Sequence, residues 1–288
     1  MATHAEFGER TTGPEVAAAF ADRIRGRSVL VTGVSPLGIG FTTTLAFASQ
    51  NPSLLILASR TKPKLAQVVS QMNSLYPSVR VETVWLDLSS QSSIRQAAAD
   101  VAALTSTLDI LVNNAGLVVT SRQATAEGIE MTFGTNHIGT FLFTNLLLPL
   151  LRNAAKANTP GATRIVSLSS GGHRLSPIRF SDFNLTRKDV PPEEDHVKPL
   201  APGFAKCETE DGYNGIVAYA QSKTGNLLFT KYLQEFLPRQ GITAYAVQPG
   251  SELHTFLHSQ KCLAPADKFV FHLSNRHRTQ ARPVSRAQ

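Results

Sequence analysis

Ser28-Val29-Leu30-Val31-Thr32-Gly33-Val34-Ser35-Pro36-Leu37-Gly38-Ile39-Gly40 decides the fold. A short β-branched run reads as a buried strand. A turn punctuated by glycines follows, then a helical pattern reaching about Gln50. In this order the three form a phosphate cradle. Glycines let the backbone approach a diphosphate closely, and the free N–H groups of a helix start attract its charge. Gly33, Ser35, Gly38, Ile39 and Gly40 are therefore candidate cofactor contacts.

The same alternation runs outward from this unit. Strands are predicted over Leu54 to Ala58, Val79 to Leu86, Leu108 to Val112, Arg164 to Leu168 and Ile242 to Val247, with helices over Lys64 to Leu75 and Ser92 to Leu104. A longer helix is predicted from Glu127 to Leu151, carrying Asn136. Strands alternating with helices imply an α/β chain: a Rossmann-type, doubly wound parallel sheet with helices on both faces. Ligands bind such sheets at the carboxyl ends of the strands, where Gly33, Asp87 and Asn113-Asn114-Ala115-Gly116 all fall. The second strand ends in Ser59-Arg60, with Lys62 and Lys64 close by and no acid. A guanidinium suits a ribose 2′-phosphate, which argues for NADP(H) over NAD as the cofactor; a solvated basic turn is an equally good reading of these residues alone.

Further on, Ala218-Tyr219-Ala220-Gln221-Ser222-Lys223 places Tyr219 and Lys223 one helical turn apart on one face. An ammonium about 4 Å from a phenolate, at an effective dielectric of about 20, is worth roughly 4 kcal/mol. That corresponds to about three pKa units, enough to bring a phenol of ordinary pKa about 10 toward neutrality. Such a pair could make Tyr219, acidified by Lys223, ready for general acid–base work; taken alone, the spacing favours a half-buried tyrosine beside a solvated lysine on an amphipathic helix. Between Gly171 and Ala218 lies a proline-containing segment of weak periodicity, with the acidic run Glu193-Glu194-Asp195. It reads as a lid insertion over the site.

The totals limit the other function classes. The chain has 288 residues, 42% of them hydrophobic, and a formal charge of +7. Positive charge is concentrated from Lys261 onward, so it forms a basic tail and not a nucleic-acid footprint. Cys207 and Cys262 have no metal spacing, and His254 and His258 have no third ligand, so no metal site is expected. The longest apolar run, Phe141 to Leu151, is broken by Thr144 and Asn145 and is too short to span a bilayer. A polar N-terminus carries no signal-peptide pattern. The expectation is a cytoplasmic chain of three parts: a helical extension over 1–25, a cofactor-binding catalytic domain over 26–260 containing the 171–218 lid, and a tail over 261–288.

Taken together, Thr32-Gly33…Gly38-Ile39-Gly40, Asp87, Asn113-Asn114-Ala115-Gly116, Asn136, Ser170, Tyr219…Lys223 and Pro249-Gly250 resemble the short-chain dehydrogenase/reductase family. The likeness covers about residues 26 to 250. It is strongest toward the retinol-dehydrogenase-like branch and fungal reductases. The resemblance implies that Tyr219 is the acid in carbonyl reduction and the base in alcohol oxidation. By the same resemblance Lys223 lowers its pKa and holds the nicotinamide ribose, Ser170 bonds the substrate oxygen, and Asn136 anchors a water relaying protons to Lys223. It also implies that Asp87 holds the adenine, that Asn114, Ala115 and Gly116 touch the cofactor, and that Pro249, Gly250 and Thr255 border the nicotinamide.

The implied activity is NADP(H)-dependent hydride transfer on a ketone or secondary alcohol of an apolar small molecule, in secondary metabolism. Pairing through the helices bearing Asn136 and Tyr219 would make a homodimer or homotetramer. Three departures stand out: four residues between Gly33 and Gly38 where the family has three, a longer interval from Ser170 to Tyr219, and fewer residues after Pro249-Gly250. The last implies a truncated C-terminal part. It supplies the alternative reading, a catalytically impaired cofactor-binding protein on the same fold.

Overall fold

The structure, a computed structural model, describes residues 4, 6–8, 10–187 and 189–249. The expectations for Gly250, His254, Thr255, His258, Cys262 and the tail lie outside the described residues.

Six strands form one sheet: β1 Ser28–Thr32, β2 Leu54–Ser59, β3 Val81–Trp85, β4 Ile110–Asn113, β5 Thr163–Leu168 and β6 Ile242–Val247. Every pairing is parallel, in the order β3-β2-β1-β4-β5-β6. Successive strands are added to one side of β1 and then, from β4 onward, to the other. The order reverses between β1 and β4, and in sheets of this order ligands bind in the crevice outside the strands' carboxyl ends at that reversal.

β1 and β2 are buried at every position because helices cover both sheet faces, and this explains their unbroken apolar runs. Alternate residues feed two cores. Leu30, Ile56, Leu111 and Ile165 pack with Ile94 and Val101 of α4 (Gln91–Leu104), Phe143, Leu147 and Leu151 of α6 (Thr140–Ala157), and Phe229 and Leu233 of α8 (Gly215–Phe236). Val29, Val31, Leu55, Leu57 and Val112 pack on the other face, with Ala48 of α2 (Ile39–Ala48) and Leu65, Val68 and Met72 of α3 (Lys62–Leu75). The N-terminal extension begins α1 (Gly13–Ala19) with a full capping box between Thr12 and Glu15. Gly13 lies close enough to α2 that a Cβ there would sit 3.3 Å from Ala46 Cβ.

Three elements depart from the sequence reading. The helix predicted from Glu127 does not start there. The buried Glu130 carboxylate accepts the N–H groups of Thr132 and Phe133 and caps a short turn, α5 (Met131–Phe133). The next residues, Gly134–Gly139, form a π-helical turn before α6 begins, and Asn136 sits in it. From Met131 to Ala157 the chain is helical for 27 residues, longer than the apolar run suggested, and its most apolar 18-residue stretch has a mean hydropathy of 1.2. By length and composition alone it could cross a membrane; Phe143, Leu147 and Leu151 are nonetheless fully buried in the sheet core.

The lid segment is also built differently. Its last residues belong to α8, which starts at Gly215 because Asn214 Oδ1 accepts the N–H groups of Ile216 and Val217. The rest is bolted down, with α7 (Pro202–Ala205) inside it. Arg179 and Asp182 form a buried ion pair at 3.0 Å. The Gln221 side chain of α8 accepts from Arg179 N and donates to Phe183 O, and the Tyr213 hydroxyl donates to Glu130 Oε1 at 2.9 Å.

Candidate active site

The glycine turn lies against the end of β4. Gly33 adopts φ +71°, and a Cβ there would fall 2.5 Å from the Ala115 Cα. A Cβ at Gly40 would fall 2.7 Å from Asn114 Nδ2. The approach is held by hydrogen bonds: Asn114 Nδ2 donates to Thr32 O at 2.8 Å and Gly33 O at 3.2 Å, and Ala115 N donates to Thr32 Oγ1 at 3.0 Å. Gly38 packs over Ser35, and α2 begins at Ile39 with no side chain capping its N-terminus. A bare-backbone turn leading to an uncapped helix start fits the diphosphate of a dinucleotide. Leu37, at the tip of the turn, is a non-glycine residue at φ +63°.

Arg60 follows β2 and is exposed; its carbonyl accepts the Trp85 indole N–H at 3.0 Å. Asp87 lies just past β3, and its Oδ1 closes a turn by accepting from Ser89 N and Ser89 Oγ. Pro249 lies two residues past β6.

Across the crevice the structure brings Ser170, Tyr219, Lys223 and Asn136 to one place. The Ser170 and Tyr219 hydroxyls are hydrogen-bonded, and Ser170 Oγ also accepts Gly172 N at 3.1 Å. Neighbouring Ser169 is committed elsewhere: its hydroxyl donates to Lys223 O at 3.0 Å, one turn along α8 from Tyr219. The Lys223 ammonium lies 5.4 Å from the centre of the Tyr219 ring and donates to Leu168 O at 2.9 Å. Asn136 braces the strand end beside them. Its Nδ2 donates to Leu117 O and Ser222 Oγ, and its Oδ1 accepts Leu117 N. Gly116 separates Asn136 from Lys223. A Cβ on it would sit 3.4 Å from Asn136 Oδ1 and 3.7 Å from Lys223 Nζ, so a methyl-sized space lies between the two groups.

The electrostatics correct one expectation. Tyr219 is not acidified. Burial pushes its phenol above the ordinary value near 10, and the hydrogen bond from Ser170 offsets only part of that. Lys223, 5% exposed, is itself pulled down to about 8 by burial. Helical spacing places the two on one face but does not reveal that both are desolvated, and desolvation opposes charge on each.

Several contributors had no signal in the sequence. His173 Nδ1 lies 2.6 Å from Ser170 O, and the single Thr224 hydroxyl proton is shared between Ser176 O at 2.7 Å and His173 O at 3.0 Å. Gly225 allows the His137 ring to lie on α8, where its added Cβ would come within 2.6 Å of the ring. Among the described residues no group of three or more His, Cys, Asp or Glu could hold a metal ion.

A parallel sheet in this strand order, with a glycine cradle at its reversal and hydroxyl and amine groups facing it, defines a dinucleotide-binding α/β protein of the Rossmann type. The model of the short chain dehydrogenases matches residues 27–181, and the chain belongs to that family of nicotinamide-dependent oxidoreductases. It is 33% identical over 248 residues to "Oxidoreductase fscI" of Fusarium equiseti, covering 85% of this chain and 95% of that one. It is 37% identical to human "Retinol dehydrogenase 13" over 82% of its own length and 63% of the relative's, so it spans somewhat less than two-thirds of that protein. Among solved structures, an uncharacterised Mycobacterium paratuberculosis protein superposes at a TM-score of 0.59 with 31% identity, over 80% of this chain and 70% of the other. The "Pseudomonas aeruginosa RhlG/NADP active-site complex" shares the fold at a TM-score of 0.56 and 23% identity, over 78% and 72%.

Proposed function

We propose that residues 26–260 form an NADP(H)-dependent oxidoreductase domain. It would interconvert a ketone and a secondary alcohol of an apolar small molecule. The observation that carries this is the hydrogen-bonded Tyr219–Ser170 hydroxyl pair at the crevice, with the buried Lys223 ammonium one turn away. When bound, the nicotinamide supplies or accepts the hydride.

Gly33, Ser35, Gly38, Ile39 and Gly40 would hold the diphosphate, Arg60 the 2′-phosphate and Asp87 the adenine. Asn114, Ala115, Gly116, Pro249 and Gly250 would line the nicotinamide side, with Tyr219 and Lys223 on its ribose. In carbonyl reduction Tyr219 gives its phenolic proton to the substrate oxygen while Ser170 donates a hydrogen bond to that oxygen. With a pKa of about 8, Lys223 is mostly an ammonium at neutral pH, and its charge stabilises the phenolate left behind. The space beside Gly116 suits a water linking Lys223 to Asn136, through which the proton would be replaced.

Replacing Tyr219 by Phe should lower NADPH-dependent carbonyl reduction by about 10²–10⁴-fold with the fold intact. Wild-type turnover by that variant would remove Tyr219 from the mechanism. Arg60→Asp should shift preference from NADPH toward NADH, and an unchanged preference would remove Arg60 from the cofactor assignment. The second reading, cofactor binding without turnover, would be favoured by tight NADPH binding in calorimetry with no consumption across a carbonyl panel.

A further inference from the structure

Ser170 lies beyond the end of β5 and caps a 3-10 turn over Gly171–Leu175, yet its hydroxyl must meet a phenol carried by a different element, α8. Four contacts hold the two together; His173 takes part in three of them, one through its ring and two through its backbone. Its backbone N–H donates to Ser170 O at 3.1 Å, and its Nδ1 lies 2.6 Å from the same oxygen. A carbonyl oxygen can only accept, so Nδ1 carries the proton. Its own carbonyl accepts the Thr224 hydroxyl at 3.0 Å, and Thr224 follows Lys223 on α8. The same hydroxyl lies 2.7 Å from Ser176 O at the far end of the turn. Between them Gly172 is wedged so closely that a Cβ there would lie 3.4 Å from both Ser170 Oγ and Tyr219 Cε1.

We infer that His173 is a positioning residue for the reaction: its ring is clamped to the Ser170 carbonyl, its backbone carbonyl meets the Thr224 hydroxyl on the helix of Tyr219 and Lys223, and the ring contact holds the serine hydroxyl on the phenol. His173 donates no proton to substrate in this role. It acts through Ser170 alone, and the inference rests on the assignment of Ser170 to the substrate oxygen. A donor at the Nδ1 position is what matters, so asparagine, whose Nδ2 occupies the equivalent place, preserves the clamp, whereas phenylalanine keeps the ring and loses the donor.

The test is a double-mutant cycle on NADPH-dependent carbonyl reduction, with NADPH binding measured separately by calorimetry. The expected result is that His173→Phe lowers kcat about tenfold, with the Kd for NADPH within about twofold of wild type. That drop corresponds to about 1.4 kcal/mol, in the range of one hydrogen bond. His173→Asn should recover kcat to within about threefold. In a Ser170→Ala background the further change to Phe at 173 should cost nothing.

Three outcomes overturn the inference: unchanged kcat in His173→Phe, no recovery in His173→Asn, or an equal loss on top of Ser170→Ala. If Ser170→Ala alone retains wild-type kcat, the role given to Ser170 fails first and is recognised as a separate failure. Should the Phe variant bind NADPH poorly or unfold, the Asn variant against Ser170→Ala still reads the coupling: loss of kcat in Asn alone, with binding intact, contradicts the clamp.

Discussion

Replacing Lys223 by methionine should change the pH dependence of stability in a calculable way. The wild-type ammonium is buried and its pKa falls from 10.5 to about 8, with burial as the cause. A lysine depressed in the folded state is held more weakly as an ammonium there than in the unfolded chain. Below pH 8 both states are protonated and the full penalty applies. Between pH 8 and 10.5 the folded protein has released a proton that the unfolded chain still holds, so stability rises with pH.

The full penalty, about 2.5 pKa units at 1.36 kcal/mol each, is roughly 3 kcal/mol. About 2 kcal/mol of it is relieved between pH 7 and 9.5. The methionine variant has no ammonium to desolvate and lacks this gain. The bond to Leu168 O is made by the ammonium at pH 7 and by a weaker neutral amine at pH 9.5, so its loss in the variant trims the expected difference without reversing it. Urea titrations followed by circular dichroism measure the effect. With an m-value near 3 kcal/mol/M, the wild-type midpoint should rise relative to the variant's by about 0.6 M from pH 7 to 9.5. A constant difference between the two proteins across that range would refute the claim that this ammonium is desolvated.

Other consequences are open to similar checks. Gly33→Ala combines a left-handed backbone with a collision against the Ala115 backbone, so calorimetry should show Tm falling by about 10 °C, and a fall under about 2 °C would contradict the packing. Tyr213→Phe removes a buried hydroxyl that donates to the Glu130 carboxylate, and should cost about 1.5–3 kcal/mol in urea unfolding. Asp182 is pushed up by burial but pulled further down by hydrogen bonds from Thr186 and Arg187 and by the Arg179 charge, so its net pKa is lowered. It therefore stabilises the fold above the ordinary aspartate range near about 3.9, and this is lost as pH falls through its lower folded value. The stability gap between wild type and Asp182→Asn should accordingly be open at pH 6 and closed in strong acid.

Much of the architecture was legible because its causes are local. Unbroken apolar runs such as Leu54 to Ala58 mark strands buried on both faces, and Gly33, Gly38 and Gly40 mark a turn that tolerates no side chain. One edge of the sheet reads less well, although β6 at the other edge has the predicted bounds. The edge strand β3 is half exposed and shorter than its sequence pattern. The helix start near Glu127 was misplaced because a carboxylate cap at Glu130 and a π-helical turn leave the apolar periodicity almost untouched.

The sequence by itself determined the order of strands and helices, and with it which residues arrive at the strand ends, since these follow from periodicity and glycine geometry within a few residues. The family resemblance already picks Ser170; only the tertiary structure decided that Ser169 is tied to Lys223 O, that the lid is bolted to α8, and that phenol and amine are both desolvated. The physical reason is that burial, and the long-range hydrogen bonds that answer it, depend on what the rest of the chain brings alongside each group. A spacing of four along a helix carries no record of that.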